Sequence, residues 1–517
     1  MRMIDVNVAF GRTRVGRSGF ETADDLLAEM DRLGIDEAVV HHVLAAEGDV
    51  RLGNRLLIEA LQGHRNLHLC WVMAPPALGD LPDPREWVRE AIEAGVRAVR
   101  LFPAHSLYTL SPWCMDPLLD AVEEATLPVF IDFGTHHWSQ RVIPWDPIKV
   151  LCERHAGLDV AVVGATVGET RDAVSLMHVL PNLYLELHAF APPDGLALLA
   201  REGLAERLLL GTGLPYCAGE CVVEHVRRAA LNPGQLEAVA GGNVSQLLHN
   251  TPTPRSAKKQ RTRPTVNGPV IDAHAHIGAW ERTITPVRTP EAIVASMDRC
   301  GVDKIVMSSL SAIHGEMRLG NREMSDAAAR FPERLYGYAA IHPHYPEEIP
   351  GELKRCFEDG VNFVGLKLHC GLHGAQLHDP GYEPALGFAN EHGLPVLVHG
   401  GGQDDWVSVA QSHPRAKFIM AHACAWDGND PAGKALYAPA SEIPNLFVDV
   451  AGSAAHRGAM RALVDLVGAD NVLFGSDFPM FDLAFELGRV TFSELTPAEK
   501  NAVCGGNALR IFKRLNG

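Results

Sequence analysis

Four histidines and one aspartate in the second half of the chain have the residue types and spacing that metal chemistry requires. His274 and His276 form an H-x-H motif, and residues i and i+2 of a strand point to the same side. His399, His422 and Asp477 each follow a short apolar run typical of a buried strand. Each residue alone is also typical of a structural polar group. Together they favour a site for Zn2+ or a similar divalent ion that activates water.

The elements that must position these residues alternate between apolar runs of strand length and helical patterns. Such runs are typical of parallel strands covered on both faces by helices. Eight such units in about 250 residues match a (β/α)8 barrel, whose active site lies at the carboxyl ends of its strands. In the second half we expect strands at 270–273, 304–308, 335–341, 364–368, 395–398, 418–421, 446–450 and 472–474, and helices at 290–299, 324–330 and 352–358.

The first half of the chain repeats the second at an offset near 267 residues. Gly53-Asn54-Arg55 recurs as Gly320-Asn321-Arg322, and Leu127-Pro128-Val129 recurs as Leu394-Pro395-Val396. A period this long indicates a duplicated domain, because solenoid repeats span about 20–50 residues. We therefore predict an α/β protein of two tandem (β/α)8 TIM-like barrels, with domains at 1–250 and 269–517 joined by an exposed, proline-rich basic linker at 251–268.

The first half lacks the five residues that suggest a metal. The corresponding positions hold Asn7, Ala9, Asp132, Gly164 and Gly213. One carboxylate and one amide do not make a site of three or four ligands, so we interpret this half as a catalytically inactive barrel. The alternative is that it binds part of the substrate or an effector, through the polar strand-end residues His41, His42, Arg100 and His136.

Bulk composition excludes several classes of protein. The chain has 517 residues, 47% of them hydrophobic, and a formal net charge of −17, which argues against nucleic acid or an anionic membrane as partner. No apolar run is long enough to span a bilayer, and no signal peptide is visible. The ten cysteines include no C-x-x-C motif. Reduced thiols in a cytoplasmic protein are the expectation.

The second half resembles the amidohydrolase superfamily, within it the branch that contains aminocarboxymuconate-semialdehyde decarboxylase. The first half resembles it in scaffold only. The resemblance implies that His274, His276, His399 and Asp477 hold one metal ion. It also implies that His422 lies beside the metal and polarises substrate or water, while Asp477 acts as general acid and base. The motifs that show the resemblance are Ile271-Asp272-Ala273-His274-Ala275-His276, Val398-His399, Ala421-His422, Gly475-Ser476-Asp477-Phe478-Pro479 and Gly506-Asn507-Ala508.

Zn2+ is the first expectation for the metal, although Mn2+ and Fe2+ also suit three histidines and one aspartate. Lys367, on the fourth strand, is expected to orient an anionic substrate. In some relatives a carboxylated lysine at this position bridges two metals, which would add a second ion here. His314, His369 and His373 lie in loops after strands, where barrels usually select their substrate.

The leading functional hypothesis is a metal-dependent hydrolase that directs activated water at a small amide, ester or lactone. Non-oxidative decarboxylation of an aromatic or unsaturated acid, and carbon–carbon hydrolysis or hydration, are alternatives on the same scaffold. The non-enzyme alternative is a metal-stabilised binding or scaffolding protein. The expected partner is a small molecule. Relatives often dimerise, so the two barrels are expected to form a pseudo-dimer within one chain, with further homo-oligomerisation left open.

Overall fold

The computed structural model describes residues 1–13, 19–133, 143–248, 266–280, 285, 287–452 and 455–516. The chain divides into two compact units, Met1–Ala191 with Gly195–Thr262, and Pro192–Asp194 with Arg263–Gly517. Of the predicted linker, only residues 266–268 are among the described residues. His136 also lies outside the described residues.

The first unit contains a sheet of eight parallel strands that pair in chain order. The amide of Val6 donates to Leu210 O at 2.9 Å, and a parallel bridge joins Val8 to Leu214, so the chain after the last strand closes onto the first. The strands are β1 Ile4–Phe10, β2 Glu37–His42, β3 Leu67–Val72, β4 Ala98–Leu101, β5 Val129–Asp132, β6 Val160–Val163, β7 Leu183–Glu186 and β8 Leu208–Leu209. The α-helices among the described residues are α1 Ala23–Leu33, α2 Val43–Glu47, α3 Val50–Leu61, α4 Pro84–Glu93, α5 Pro112–Glu124, α6 Trp145–Arg154, α7 Thr170–Val179, α8 Gly195–Arg201, α9 Gly219–Arg228, α10 Pro233–Glu237 and α11 Asn243–Leu247.

The second unit has the same topology and closes in the same way, with Ala273 N donating to Phe474 O at 2.9 Å and a bridge between Ala275 and Phe478. Its strands are β9 Ile271–Ile277, β10 Lys304–Ser309, β11 Leu335–Ala340, β12 Phe363–His369, β13 Pro395–His399, β14 Lys417–Met420, β15 Leu446–Asp449 and β16 Val472–Leu473. Its described α-helices are α12 Pro290–Cys300, α13 Leu310–Ile313, α14 Met317–Arg330, α15 Ile349–Lys354, α16 Cys370–His373, α17 Glu383–His392, α18 Gln403–Ser412, α19 Pro431–Tyr437, α20 Ala459–Val467, α21 Leu483–Thr491, α22 Pro497–Asn501 and α23 Asn507–Ile511.

The prediction of two tandem (β/α)8 barrels is confirmed. Each strand expected in the second half is present within a few residues of its predicted bounds. The helix expected at 324–330 begins seven residues earlier, at Met317, and the helix expected at 352–358 begins at Ile349 and ends in a π-helical segment, Arg355–Asp359. Helix boundaries are the least certain part of a sequence-based assignment, because the first and last turns depend on local capping.

No helix in the described parts of the chain is both long enough and apolar enough to cross a membrane.

Candidate metal centre

A β-bulge in β9 aims its two histidines into the barrel. Asp272 pairs with Ile305 and Ala275 with Met307, so β9 has one extra residue between these pairs. Within the bulge, Ala273 packs with residues from all eight strands inside the barrel. After it, Ala275 packs in the larger cluster that includes the helices. His274 and His276 are therefore the residues that face the interior, which is a common use of a bulge beside an active site.

Three of the four predicted ligands come together at this end of the barrel. The side-chain donor atoms of His274, His276 and Asp477 all lie within 4.8 Å of one another. Asp477 Oδ1 is 3.0 Å from His276 Nε2 and 3.5 Å from His274 Nε2. All three residues are largely buried, which suits a cation site with restricted access to water.

His399, the fourth predicted ligand, contacts His422 rather than this trio. His422 Nδ1 lies 3.1 Å from Ala451 O, so that nitrogen carries the proton and Nε2 is an acceptor. His399 Nδ1 lies 2.9 Å from His422 Nε2 and must donate to it, which leaves the His399 Nε2 lone pair available as a ligand. The ring centroids of His399 and His422 are 4.4 Å apart, and those of His422 and His274 are 4.9 Å apart.

Outer partners orient the ligands on β9. Asp449 Oδ2 lies 3.0 Å from His274 Nδ1, and its Oδ1 accepts the amides of His422 and Ala451. Ser308 Oγ lies 3.0 Å from His276 Nδ1. When each Nδ1 donates to its outer partner, each Nε2 presents a lone pair toward Asp477, which is the tautomer that binds a metal.

The electrostatics of the cluster favour neutral imidazoles around an ionised carboxylate. Burial lowers the pKa of His274 and His276, and lowers that of His399 to about 3. The pKa of Asp477 lies below its usual range, because burial opposes its ionisation less than the neighbouring His276, His422 and His274 favour it. These are the protonation states that metal binding requires.

Lys367 on β12 points at the same cluster. Its Nζ lies 2.9 Å from His274 Nε2, and the side chain is 1% exposed. Burial lowers the pKa of Lys367 to about 8. Lys367 therefore brings a buried amino group into contact with the cluster.

The three histidines proposed as substrate contacts have different surroundings. His369 stacks on His399 with centroids 4.1 Å apart, so its ring borders the cluster. His373 Nε2 donates to Ile313 O at 2.9 Å and Nδ1 accepts from Tyr382 Oη at 2.8 Å, so both ring nitrogens are already engaged within the protein. His314 is exposed and packs against Trp280 with centroids 5.5 Å apart.

Sequence reasoning missed the residues that position the site. Asp449 corresponds to Glu186 in the first half, which favours a scaffold carboxylate, yet Asp449 fixes both His274 and His422. The position of Asp449 at the carboxyl end of β15 is a signal that could have identified it as a site residue. Arg489 donates to Val450 O at 2.7 Å and to Gly452 O at 2.6 Å, on either side of the carbonyl that orients His422. No local motif marks such a contact.

The first barrel fills the corresponding space with its own side chains. Arg100, on β4, donates to Asn7 Oδ1 at 2.8 Å and to Asp132 Oδ2 at 3.2 Å, so a guanidinium lies among the counterparts of the ligands. A Cβ built on Gly213, the counterpart of Asp477, would lie 3.0 Å from His188 Cδ2. A side chain at that position would therefore crowd His188 and Cys217.

Backbone geometry supports this correspondence. His422 and Asp477 both have left-handed backbones, with φ of 67° and 57°. The counterparts Gly164 and Gly213 have φ of 86° and 69°. A non-glycine residue in this region is strained, and such strain concentrates at functional sites. The barrel without the ligand set has glycine at both positions, where the strain disappears.

A protein-family model described as amidohydrolase matches residues 7–249 and again residues 271–514. The chain belongs to the amidohydrolase family. The two matched segments agree with a tandem duplication, and the protein is a metal-dependent enzyme of this family.

Several solved structures are similar to about half of this amidohydrolase. A 2,6-dihydroxybenzoate decarboxylase from Rhizobium is 17% identical and covers 48% of this chain and 100% of its own, with a TM-score of 0.39. A 5-carboxyvanillate decarboxylase from Novosphingobium aromaticivorans, complexed with manganese, is 14% identical and covers 49% of this chain and 98% of its own, with a TM-score of 0.40. A 4-oxalomesaconate hydratase from Rhodopseudomonas palustris is 20% identical and covers 48% of this chain and 96% of its own, with a TM-score of 0.38.

Proposed function

We propose that the second barrel, residues 269–517, is a metal-dependent hydrolase acting on a small carbonyl compound such as an amide, ester or lactone. The observation that supports this is the convergence of His274, His276 and Asp477 within 4.8 Å at the carboxyl ends of the strands. Barrels of this type place their catalytic groups at that face.

The donor set fits one divalent ion. His274, His276, His399 and Asp477 are proposed as ligands, because the imidazoles are neutral and the carboxylate is ionised. Zn2+ is the proposed ion, with Mn2+ and Fe2+ as alternatives for three histidines and one carboxylate. When bound, such an ion polarises a carbonyl oxygen and lowers the pKa of water.

Asp477 and His422 are proposed to handle protons. The carboxylate of Asp477 is ionised and can accept a proton from an attacking water, then return it to the leaving group. When Nδ1 of His422 donates to Ala451 O, its Nε2 accepts from His399 Nδ1. Polarising a carbonyl therefore requires a rearrangement in which Nε2 carries a proton that is directed at the substrate. Lys367, together with His369, is proposed to orient an anionic part of the substrate.

Non-oxidative decarboxylation is the second candidate, favoured by Lys367. A buried cation 2.9 Å from a proposed ligand suits a substrate carboxylate held beside the cluster. Asp477 would then take a proton from solvent and deliver it to the carbon that loses CO2. Hydration and carbon–carbon hydrolysis use the same groups.

Isotope labelling of the full-length, metal-loaded protein separates the two reactions. Across a panel of esters, lactones and aromatic acids, hydrolysis in 18O-labelled water places 18O in a product carboxylate. Decarboxylation in D2O places deuterium on the carbon that lost CO2.

Asp477→Asn is expected to abolish either activity. Asp465→Asn, which changes an exposed carboxylate of the same barrel, is expected to leave the activity unchanged. Unchanged turnover in Asp477→Asn would refute the assignment. No turnover with metal fully loaded would favour a binding or scaffolding role.

The first barrel, residues 1–250, is proposed to be non-catalytic and to form a pseudo-dimer with the second within one chain. If so, residues 266–517 expressed alone should be insoluble or poorly active, and full activity from that half would contradict the pseudo-dimer.

The substrate is proposed to be a small molecule. The ten cysteines are free thiols, which supports a reducing compartment such as the cytoplasm.

A further inference from the structure

The first barrel places a thiol and an imidazole beside the counterpart of Asp477. A Cβ built on Gly213, which is that counterpart, would lie 3.0 Å from Cys217 Sγ and 3.0 Å from His188 Cδ2. The two side chains therefore flank one point at the carboxyl ends of the strands. The position equivalent to Cys217 in the second barrel holds Phe481, so the thiol belongs to the first barrel alone.

Glu186 orients His188 so that its Nε2 is the nitrogen that exchanges a proton. His188 Nδ1 lies 2.6 Å from Glu186 Oε2, and the His188 amide donates to Oε1 at 2.9 Å. The pKa of Glu186 lies below its usual range, because burial opposes its ionisation less than His188 and Arg100 favour it. An ionised carboxylate has no proton to donate, so Nδ1 donates to it. The contact of Asn7 Nδ2 with Nδ1 is longer, at 3.1 Å, and does not change this assignment.

Cys217 lies at the amino-terminal end of α9. Its amide donates to Gly213 O at 3.0 Å and closes a turn two residues before α9 begins at Gly219. The positive end of a helix and a neighbouring imidazole both favour a thiolate over a thiol. A carboxylate that holds the imidazole is the arrangement by which proteins activate cysteine nucleophiles. The surroundings of Cys217 therefore combine three features of a reactive thiol.

The other cysteines of the chain provide a comparison. Cys114 and Cys217 are partly exposed, and the other eight cysteines are buried. Thiols of raised pKa react slowly, because the thiolate is the nucleophile. Cys114 lies in the first turn of α5, so it resembles Cys217 in exposure and in its place at the start of a helix. Burial raises the pKa of six of the eight buried thiols, which are Cys70, Cys152, Cys356, Cys370, Cys424 and Cys504.

The narrow space beside Cys217 favours a small, neutral reactant. A single Cβ on Gly213 would already touch the sulfur and the imidazole. Arg100 occupies the adjoining space through its hydrogen bonds with Asn7 and Asp132. A hydroperoxide needs little room, and its reaction with a thiolate requires only a proton donor for the oxygen that departs. His188 Nε2 can supply that proton.

We propose that Cys217 is an oxidation site, where a hydroperoxide converts the thiol to a sulfenic acid with the help of His188 and Glu186. The thiol proton passes to His188 Nε2, and the sulfur attacks one peroxide oxygen. The S–O bond forms as the O–O bond breaks, so the sulfur is oxidised and the peroxide is reduced. The departing oxygen takes the proton from Nε2 and leaves as water. The step occurs once per chain, so it agrees with a non-catalytic first barrel and does not depend on the reaction of the second.

Trapping with dimedone tests the proposal in the full-length protein. Reduced protein in metal-free buffer is treated with hydrogen peroxide and dimedone, which captures sulfenic acids, and the labelled cysteines are identified by peptide mass spectrometry. At about pH 6.5 we expect Cys217 to be labelled at least about tenfold faster than Cys114. Equal rates at the two cysteines, or no label on Cys217, would overturn the proposal.

Variants and pH separate the imidazole from simple exposure. His188→Gln is expected to slow labelling of Cys217 about tenfold at about pH 6.5 and by much less at about pH 9, where thiols ionise unaided. His178→Gln, which changes an exposed histidine of the same barrel, should label as the wild type does. An equal loss at both pH values would indicate a structural effect and refute the role of His188, as would undiminished labelling.

A second measurement covers the case in which His188→Gln folds poorly. Chloroacetamide alkylates thiolates, and its rate at each cysteine of the wild-type protein can be followed from pH 5 to pH 9. Cys217 should react faster than Cys114 at the acidic end, and the two rates should converge as the pH rises. Parallel pH profiles for the two cysteines would contradict an activated thiol.

Discussion

Asp449 is a single buried residue that determines the geometry of several neighbours. Its Oδ2 faces His274 Nδ1, while its Oδ1 accepts the amides of His422 and Ala451. An asparagine has one acceptor oxygen and cannot serve both sides. We therefore expect Asp449→Asn to lower metal affinity by about 10–100-fold, as loss of such outer partners does elsewhere. Competition with a chelator measures the change.

The first barrel offers the matched control for this substitution. Glu186 occupies the equivalent strand end and hydrogen-bonds His188 instead of a proposed ligand. Glu186→Gln should leave metal affinity unchanged. An equal loss of metal in both variants would mean that the effect of Asp449→Asn is a general loss of stability.

Asp5 makes the stability of the first barrel dependent on pH. Burial raises the pKa of Asp5 from 3.8 to about 6, although it accepts hydrogen bonds from Thr212 and the amide of Asn7. A carboxyl whose pKa is higher in the folded state favours folding most at low pH, and this contribution is lost as the pH rises through about 6. The pKa difference corresponds to about 3 kcal/mol.

Asparagine at this position removes the titration. Its Oδ1 can still accept the amides of Asn7 and Thr212, and its Nδ2 can donate to Thr212 Oγ1 in place of the hydrogen bond that Asp5 Oδ2 accepts from that hydroxyl. Relative to the wild type, Asp5→Asn should gain stability between about pH 4 and pH 7. Hydrogen exchange of the β1 amides, corrected for intrinsic rates, measures the opening free energy at each pH. The exposed Asp24→Asn serves as control. Parallel pH profiles for wild type and Asp5→Asn would contradict the raised pKa.

At the scale of elements, the fourth strands of the two barrels present different cationic side chains at corresponding positions. β12 presents Lys367 to a ligand cluster, whereas β4 presents Arg100, which is 1% exposed and paired with Asp132. Arg100→Met removes the cationic partner of a buried carboxylate, and we expect it to destabilise the first barrel by about 3–5 kcal/mol. Calorimetric unfolding measures this loss.

A second substitution separates charge from packing at this position. Arg100→Met combined with Asp132→Leu should recover most of the stability, because apolar groups of similar size replace a buried ion pair at little cost. Metal content should be normal in both variants if the first barrel binds no metal. Loss of metal from the folded double variant would show that the first barrel takes part in the site.

The order of the elements was predictable from the sequence, but the fine geometry of the site was not. Continuous apolar runs such as 364–368 identify buried parallel strands, since both faces of β12 are covered. Simple alternation predicted that His274 and His276 share a face, and they do. However, the bulge that aims them inward depends on pairing with β10. The contact of Arg489 with the loop around Ala451 joins residues far apart in sequence, and periodicity contains no signal for it.

At the scale of the whole molecule, the two barrels share one topology and differ at the strand ends where the second holds the proposed ligands. Asp272 accepts hydrogen bonds from the amides of His274 and Ser476. Asp5 accepts them from the amides of Asn7 and Thr212. Both copies therefore retain a carboxylate on the first strand that hydrogen-bonds the chain after the last strand. The duplicated scaffold has therefore been kept where it stabilises the barrel, and it has changed where the second copy holds the proposed ligands.

This difference predicts about one equivalent of metal per chain in protein purified without added metal or chelator, measured by elemental mass spectrometry. His274→Ala combined with His276→Ala removes two proposed ligands and should leave almost no metal. The matched substitution Asn7→Ala in the first barrel should leave the content at about one. Two equivalents would instead indicate a carboxylated Lys367 that bridges a pair of ions, or a metal site in the first barrel. Wild-type metal content in the double histidine variant would rule out β9 as the source of ligands, and the proposed enzyme mechanism would fall with it.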